Sequence, residues 1–99
     1  MYGSALNHFD NQRPVTDEIT QIANQMRDQI ESALNSKNKY PLWEPTFYCQ
    51  RYRDGMDYRI KIKVGEVNKY IHVKIHKAEN TGNLQLLTYV GGKVYHDPI

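Results

Sequence analysis

Between residues 58 and 76 the chain alternates with a period of two. Tyr58, Ile60, Ile62 and Val64 interleave with Arg59, Lys61 and Lys63. After Gly65-Glu66-Val67-Asn68, Ile71, Val73 and Ile75 alternate with Tyr70, His72, Lys74 and His76. Successive side chains of a strand point to opposite faces, so this pattern predicts two paired strands with one apolar and one basic, solvent-side face carrying Arg59, Lys61, Lys63, Lys74 and His76. An apolar sheet face needs a cover, and the upstream sequence supplies one. Thr16 stands as an N-cap and Asp17 and Glu18 put negative charge in the first turn. Ile19, Ile22, Ala23, Met26, Ile30, Ala33 and Leu34 then recur at helical spacing. The spacing predicts a single helix of about five turns with one apolar stripe, ending in Asn35-Ser36-Lys37-Asn38-Lys39.

The remaining segments complete a meander. Residues 46–53 are rich in β-formers and Asp54-Gly55 is a turn signal leading into the first alternating strand. Ala78 to Asn83 reads as a second loop, Leu84 to Val90 as a long strand, and Gly91-Gly92 as a hairpin turn before a last short strand, Lys93 to Tyr95. Residues 1–15, with Gly3, Asn7, Asn11 and Pro14 and no apolar period, read as an extended arm. The expectation is an α+β chain: the arm over 1–15, then one domain over 16–99 with a long helix packed across a four- or five-stranded antiparallel sheet.

A chain of 99 residues, 39% of them hydrophobic, has room for one core and no second domain. Eight tyrosines against two phenylalanines and one tryptophan suggest that this core is thin and half-wet. Cys49, the single cysteine, cannot form an internal disulfide. With no signal-peptide pattern and no membrane-length apolar run, a soluble, cytoplasmic protein of a reducing compartment is expected. The formal net charge of +2 is unevenly spread. Residues 1–50 hold four Lys/Arg against six Asp/Glu, residues 51–77 eight against three, and residues 78–99 one against two.

The residue types of catalysis are present without the spacing that catalysis needs. Cys49 lies in a predicted strand with no neighbouring histidine, and reads as a small strand residue. His72 and His76 would lie about 13 Å apart along a strand, too far to share one ion, and read as surface histidines. Asp54 and Asp57 flank Gly55 and mark a turn rather than an acid/base pair. No Gly-rich phosphate loop occurs, so no catalytic residue, metal or cofactor is expected. The basic strands invite a nucleic-acid reading, but lysines alternating with Ile and Val are what the wet face of any one-sided sheet carries, and +2 is weak for a backbone binder.

Several segments carry a family resemblance across most of the chain. Pro14-Val15-Thr16 with Glu18-Ile19 opens the helix. Gly55-Met56-Asp57-Tyr58-Arg59-Ile60-Lys61-Ile62-Lys63-Val64-Gly65 is similar to the segment Gly-Thr-Asn-Tyr-(Phe/Tyr)-Ile-Lys-Val of the stefins, and Lys69-Tyr70-Ile71-His72-Val73-Lys74-Ile75 resembles their next strand. The stefins are the cytosolic type 1 cystatins, which inhibit papain-like cysteine proteases. The resemblance implies a wedge, built from the arm and two hairpin loops, that fills the protease cleft without being cut. Carried over by position, its residues are Gly3 in the arm, Arg51, Tyr52, Arg53, Asp54 and Gly55 in the first loop, and Ala78, Glu79 and Asn80 in the second.

Both loops depart from the family. Its Gln-x-Val-x-Gly is Arg51-Tyr52-Arg53-Asp54-Gly55 here, which keeps only the glycine, and the second loop is shorter and lacks the family's Leu-Pro. A charge at the wedge tip is costly to desolvate unless a carboxylate meets it. The resemblance therefore implies either an inhibitor that is weakened, or retuned by Arg51 and Arg53 toward an acidic cleft, or a non-inhibitory stefin-fold binding or structural module of a larger assembly. The expected partner is a papain-like protease in the first case and a non-protease protein in the second. Neither involves a membrane. The expected state is a monomer, with hairpin exchange into a swapped dimer open to it.

Overall fold

A computed structural model of the chain describes residues 8–35 and 38–99. Strand β1 (Arg13–Pro14) is followed by helices α1 (Asp17–Gln25) and α2 (Arg27–Asn35), then by β2 (Glu44–Tyr52), β3 (Gly55–Gly65), β4 (Lys69–Ala78) and β5 (Leu84–Lys93). All five strands form one antiparallel sheet in chain order. The α+β expectation holds, with the fifth strand coming from the arm.

The predicted helix is divided at Met26. Thr16 caps its start, the hydroxyl accepting from the Ile19 N–H at 3.3 Å. Met26 has ψ near 0, yet its N–H donates to the Ile22 carbonyl at 3.2 Å and its carbonyl accepts from the Ile30 N–H at 2.9 Å. The two segments thus share one i to i−4 ladder and one buried stripe. Ile19, Ile22, Ala23, Met26 and Ile30 pack on Tyr48, Tyr58, Ile60, Ile62, Val64, Ile71, Val73 and Ile75, each isoleucine contributing roughly 1.5–3 kcal/mol by its burial. Ala33, predicted in the stripe, is exposed. Glu31 is buried instead, accepting from Arg27 Nε at 3.0 Å and from the Tyr40 N–H at 2.8 Å, which ties the helix to the segment entering β2.

Two expectations are corrected near the C-terminus. Gly91-Gly92 is no hairpin turn: β5 runs unbroken to Lys93, and the pairing slips between Tyr70↔Lys93 and His72↔Val90. The extra residue makes a bulge, for which Gly92 supplies a φ of 66. The second correction concerns the solvent-side face of the sheet. Lys61 is 2% exposed and donates to the Tyr95 carbonyl, while Tyr95 sits edge-on to Phe47 and Tyr70. His72, read as a surface residue, is buried beside Lys61. Arg59, Lys63, Lys74 and His76 are half-buried. Alternation assigned these residues to the correct face but could not reveal that the tail after Lys93 and Phe9 of the arm fold over it.

Candidate functional site

The connections of an antiparallel meander alternate between its two ends. The β2–β3 and β4–β5 connections therefore share one end, and the β3–β4 turn takes the other. Because β1 is antiparallel to β2, the described arm residues that precede β1 also lie at the first end: the Asp10 N–H donates to the Gln50 carbonyl at 2.9 Å and the Gln50 N–H to Asp10 Oδ1 at 2.8 Å. Topology alone thus gathers the arm and two loops.

The first connection is tight. Tyr52 pairs with Met56, and Arg53-Asp54-Gly55 makes the turn with φ of 53 at Asp54 and 116 at Gly55, closed by the Arg53 N–H on the Gly55 carbonyl at 2.9 Å. Gly55 also abuts the second connection. A Cβ there would lie 2.2 Å from the Lys77 carbonyl oxygen and 2.8 Å from the Glu79 nitrogen, so only glycine lets the two loops meet this closely. The second loop is closed by Gly82 N–H on the Ala78 carbonyl and Ala78 N–H on the Asn83 carbonyl, both at 2.9 Å.

Side chains join the two loops. The exposed Tyr52 hydroxyl donates to Glu79 Oε1 at 2.8 Å, and this carboxylate pushes the phenol's pKa up. Lys77 Nζ reaches Glu18 at 3.0 Å and links the loop end to the start of α1. Arg53 and Asp54 are exposed at the first tip and Asn80 at the second, while Ala78 is half-buried beneath. Gly3, expected to contribute from the arm, lies outside the described residues.

Arg51, carried over by position as a first-loop residue, turns its side chain onto the basic face of the sheet. It is 15% exposed there, with Nε 3.0 Å from Asp57 Oδ2 and the guanidinium over the Phe9 ring. Asp57, read from sequence as a turn residue, is 1% exposed and also meets His76 Nδ1 at 2.7 Å. Burial works to raise the Asp57 carboxyl, but the hydrogen bonds from His76 and Arg51 outweigh it and hold the pKa below the usual 3.8. One signal for this cluster was available: Arg51 and Asp57 are equidistant from Asp54, so the turn makes them cross-strand partners, and the next register step adds His76.

The arm contributes three further residues that sequence reasoning missed. Arg13 Nη1 pairs with Asp10 at 2.9 Å while its Nε donates to the Tyr48 hydroxyl at 3.0 Å. Asp10 is held below the ordinary carboxylate value despite desolvation, by the Gln50 N–H and Arg13. Phe9 lies over the sheet with Arg59 4.0 Å and Arg51 4.6 Å from its ring centre. Among the described residues, no group of three or more His, Cys, Asp or Glu side chains could hold a metal ion, and no helix is long and apolar enough to cross a membrane. Burial raises the Cys49 thiol and keeps it protonated.

No protein-family model matches the chain. Individual relatives do. It is 30% identical to Stefin-C of Bos taurus over 101 aligned residues, covering 100% of this chain and 97% of that protein. It is 34% identical to Cystatin-A of Felis catus, covering 88% of each chain. It is 32% identical to the leukocyte cysteine proteinase inhibitor 1 of Sus scrofa, covering 88% of this chain and 84% of that one. With the meander, the covering helix and this likeness over nearly its whole length, the chain belongs to the stefin family of cystatins.

Proposed function

We propose that the chain is a reversible inhibitor of papain-like cysteine proteases and that it enters the cleft with the end of the sheet where the arm and two loops converge. The observation that supports this reading most is the lock between the loops, with Gly55 backed against Lys77 and Glu79 and the Tyr52 hydroxyl on Glu79. An edge held in place before binding loses little conformational entropy on entering a groove, and a wedge of turns presents no extended peptide bond for cleavage. That one relative is named a cysteine proteinase inhibitor agrees with it.

The tip chemistry sets the affinity. Arg53 and Asp54 would have to give up water on entering the cleft, which weakens binding to an apolar groove and favours one with a carboxylate facing Arg53. Arg51, occupied by Asp57, takes no direct part. Titration of the pure chain into papain tests the reading: activity should fall to zero and return on dilution, and Arg53→Val should tighten inhibition about tenfold, equivalent to ~1.4 kcal/mol. Absence of inhibition at high micromolar protein would overturn it in favour of a non-inhibitory binding module.

A further inference from the structure

Three cations surround the ring of Phe9: Arg59 at 4.0 Å, Arg51 at 4.6 Å and Lys74 at 5.7 Å from its centre. They come from three neighbouring strands, β2, β3 and β4, and Arg59 and Lys74 stand directly opposite one another in the register. Like charges in that position repel, and both side chains are half-buried, which strengthens the repulsion. Desolvation and the neighbouring arginines push the Lys74 ammonium below its ordinary pKa. Among the described residues, Asp57 is the acidic group in the same cluster, and it already holds Arg51 and His76. The electron-rich face of an aromatic ring relieves such crowding without adding a charge, and Phe9 provides one.

Phe9 immediately precedes Asp10, whose N–H and carboxylate both engage Gln50. Ring and carboxylate together fix two successive arm residues beside the loop end. We propose that Phe9 is a positioning residue: seated in the socket of Arg51, Arg59 and Lys74, it fixes where the arm is presented to a protease. This rests on the inhibitor reading. Its action on a protease is indirect, through the arm that it holds. It restricts the arm before binding, so its loss should speed dissociation rather than slow association.

Phe9→Leu keeps apolar bulk but removes the aromatic face, and Phe9→Trp keeps the face. In the full chain against papain, Phe9→Leu should raise the dissociation rate about tenfold, ~1.4 kcal/mol, with the association rate unchanged within twofold, and Phe9→Trp should restore it. Amide exchange at Asp10 in the free protein gives a reading independent of the protease. It should accelerate in Phe9→Leu and not in Phe9→Trp. Unchanged exchange in Phe9→Leu would overturn the socket. Faster exchange with an unchanged dissociation rate would overturn the positioning role. If the unmodified chain does not inhibit papain, the inhibitor reading and the presenting role both fall, and the exchange rates alone decide whether the socket holds.

Discussion

Asp57 shows how much one buried carboxylate organises. It neutralises part of a cluster in which Arg51, Arg59, Lys74 and His76 face one side of three strands, and both of its oxygens are engaged. Asp57→Asn leaves Arg51 with a weaker partner in a position where it is 15% exposed, and should lower stability at pH 7 by about 2–3 kcal/mol. The loss should depend on pH. A carboxyl whose folded pKa is lowered contributes stability that is complete above its unfolded value, near 3.8, and fades as pH falls through the folded value. Wild type and Asp57→Asn should therefore converge below pH 4. Urea unfolding at pH 7 and pH 3 measures this, and an equal gap at both would show that the lost contribution was packing rather than charge. In the sequence Asp57 resembles any aspartate beside a glycine turn. Its importance comes from a register that places Arg51 and His76 on either side of it.

The elements were legible to different depths. Strands β3 and β4 could be read directly because alternation is a local property, and the helix could be read from its cap and stripe. Strand β1 could not, since two residues carry no periodicity and Arg13–Pro14 is extended by its pairing with Tyr48 and Phe47. Gly91-Gly92 misled because a bulge and a hairpin both need a positive φ, and only the partner strand decides between them. The loop end was legible as a resemblance, but the distance between its two loops was not. Two glycines there permit a comparison. A side chain at Gly55 meets strained φ and a backbone oxygen at 2.2 Å, whereas one at Gly82 meets strained φ of 73 and nothing closer than Lys77 Cε at 3.8 Å. Gly55→Ala should therefore destabilise by about 3 kcal/mol and Gly82→Ala by about 1 kcal/mol, measured by urea unfolding. Equal losses would mean that the loops can part without penalty and that Gly55 does not lock them.

At the scale of the whole molecule, helix and sheet account for one face, and among the described residues Phe9 and the segment after β5 cover the other. The segment after β5 closes over the basic face: Val94 N–H donates to Asp97 Oδ2 at 2.9 Å, Tyr95 N–H to Asn68 Oδ1 at 2.8 Å, and Lys61 Nζ to the Tyr95 carbonyl. Arg59 reaches the Ile99 carbonyl at 3.4 Å. His72 reports on this cover. Burial first, then the charges of Lys61 and Lys93, lower its pKa from 6.5 to about 4. Between those values the unfolded chain binds a proton that the folded chain refuses, so stability rises with pH across this window and falls by up to about 3 kcal/mol on going from pH 7 to pH 4. Deleting residues 94–99 should let water reach Lys61 and His72. Asp97, whose charge acts to raise the His72 pKa, leaves with the tail, so any upward movement would come from lost burial and not from a gained charge. The imidazole should then titrate near 6 in a proton NMR titration, and the slope of stability between pH 4 and pH 6.5 should flatten. A truncated chain in which His72 still titrates near 4 would show that the strands alone bury it, and that the tail follows the basic face without shielding it.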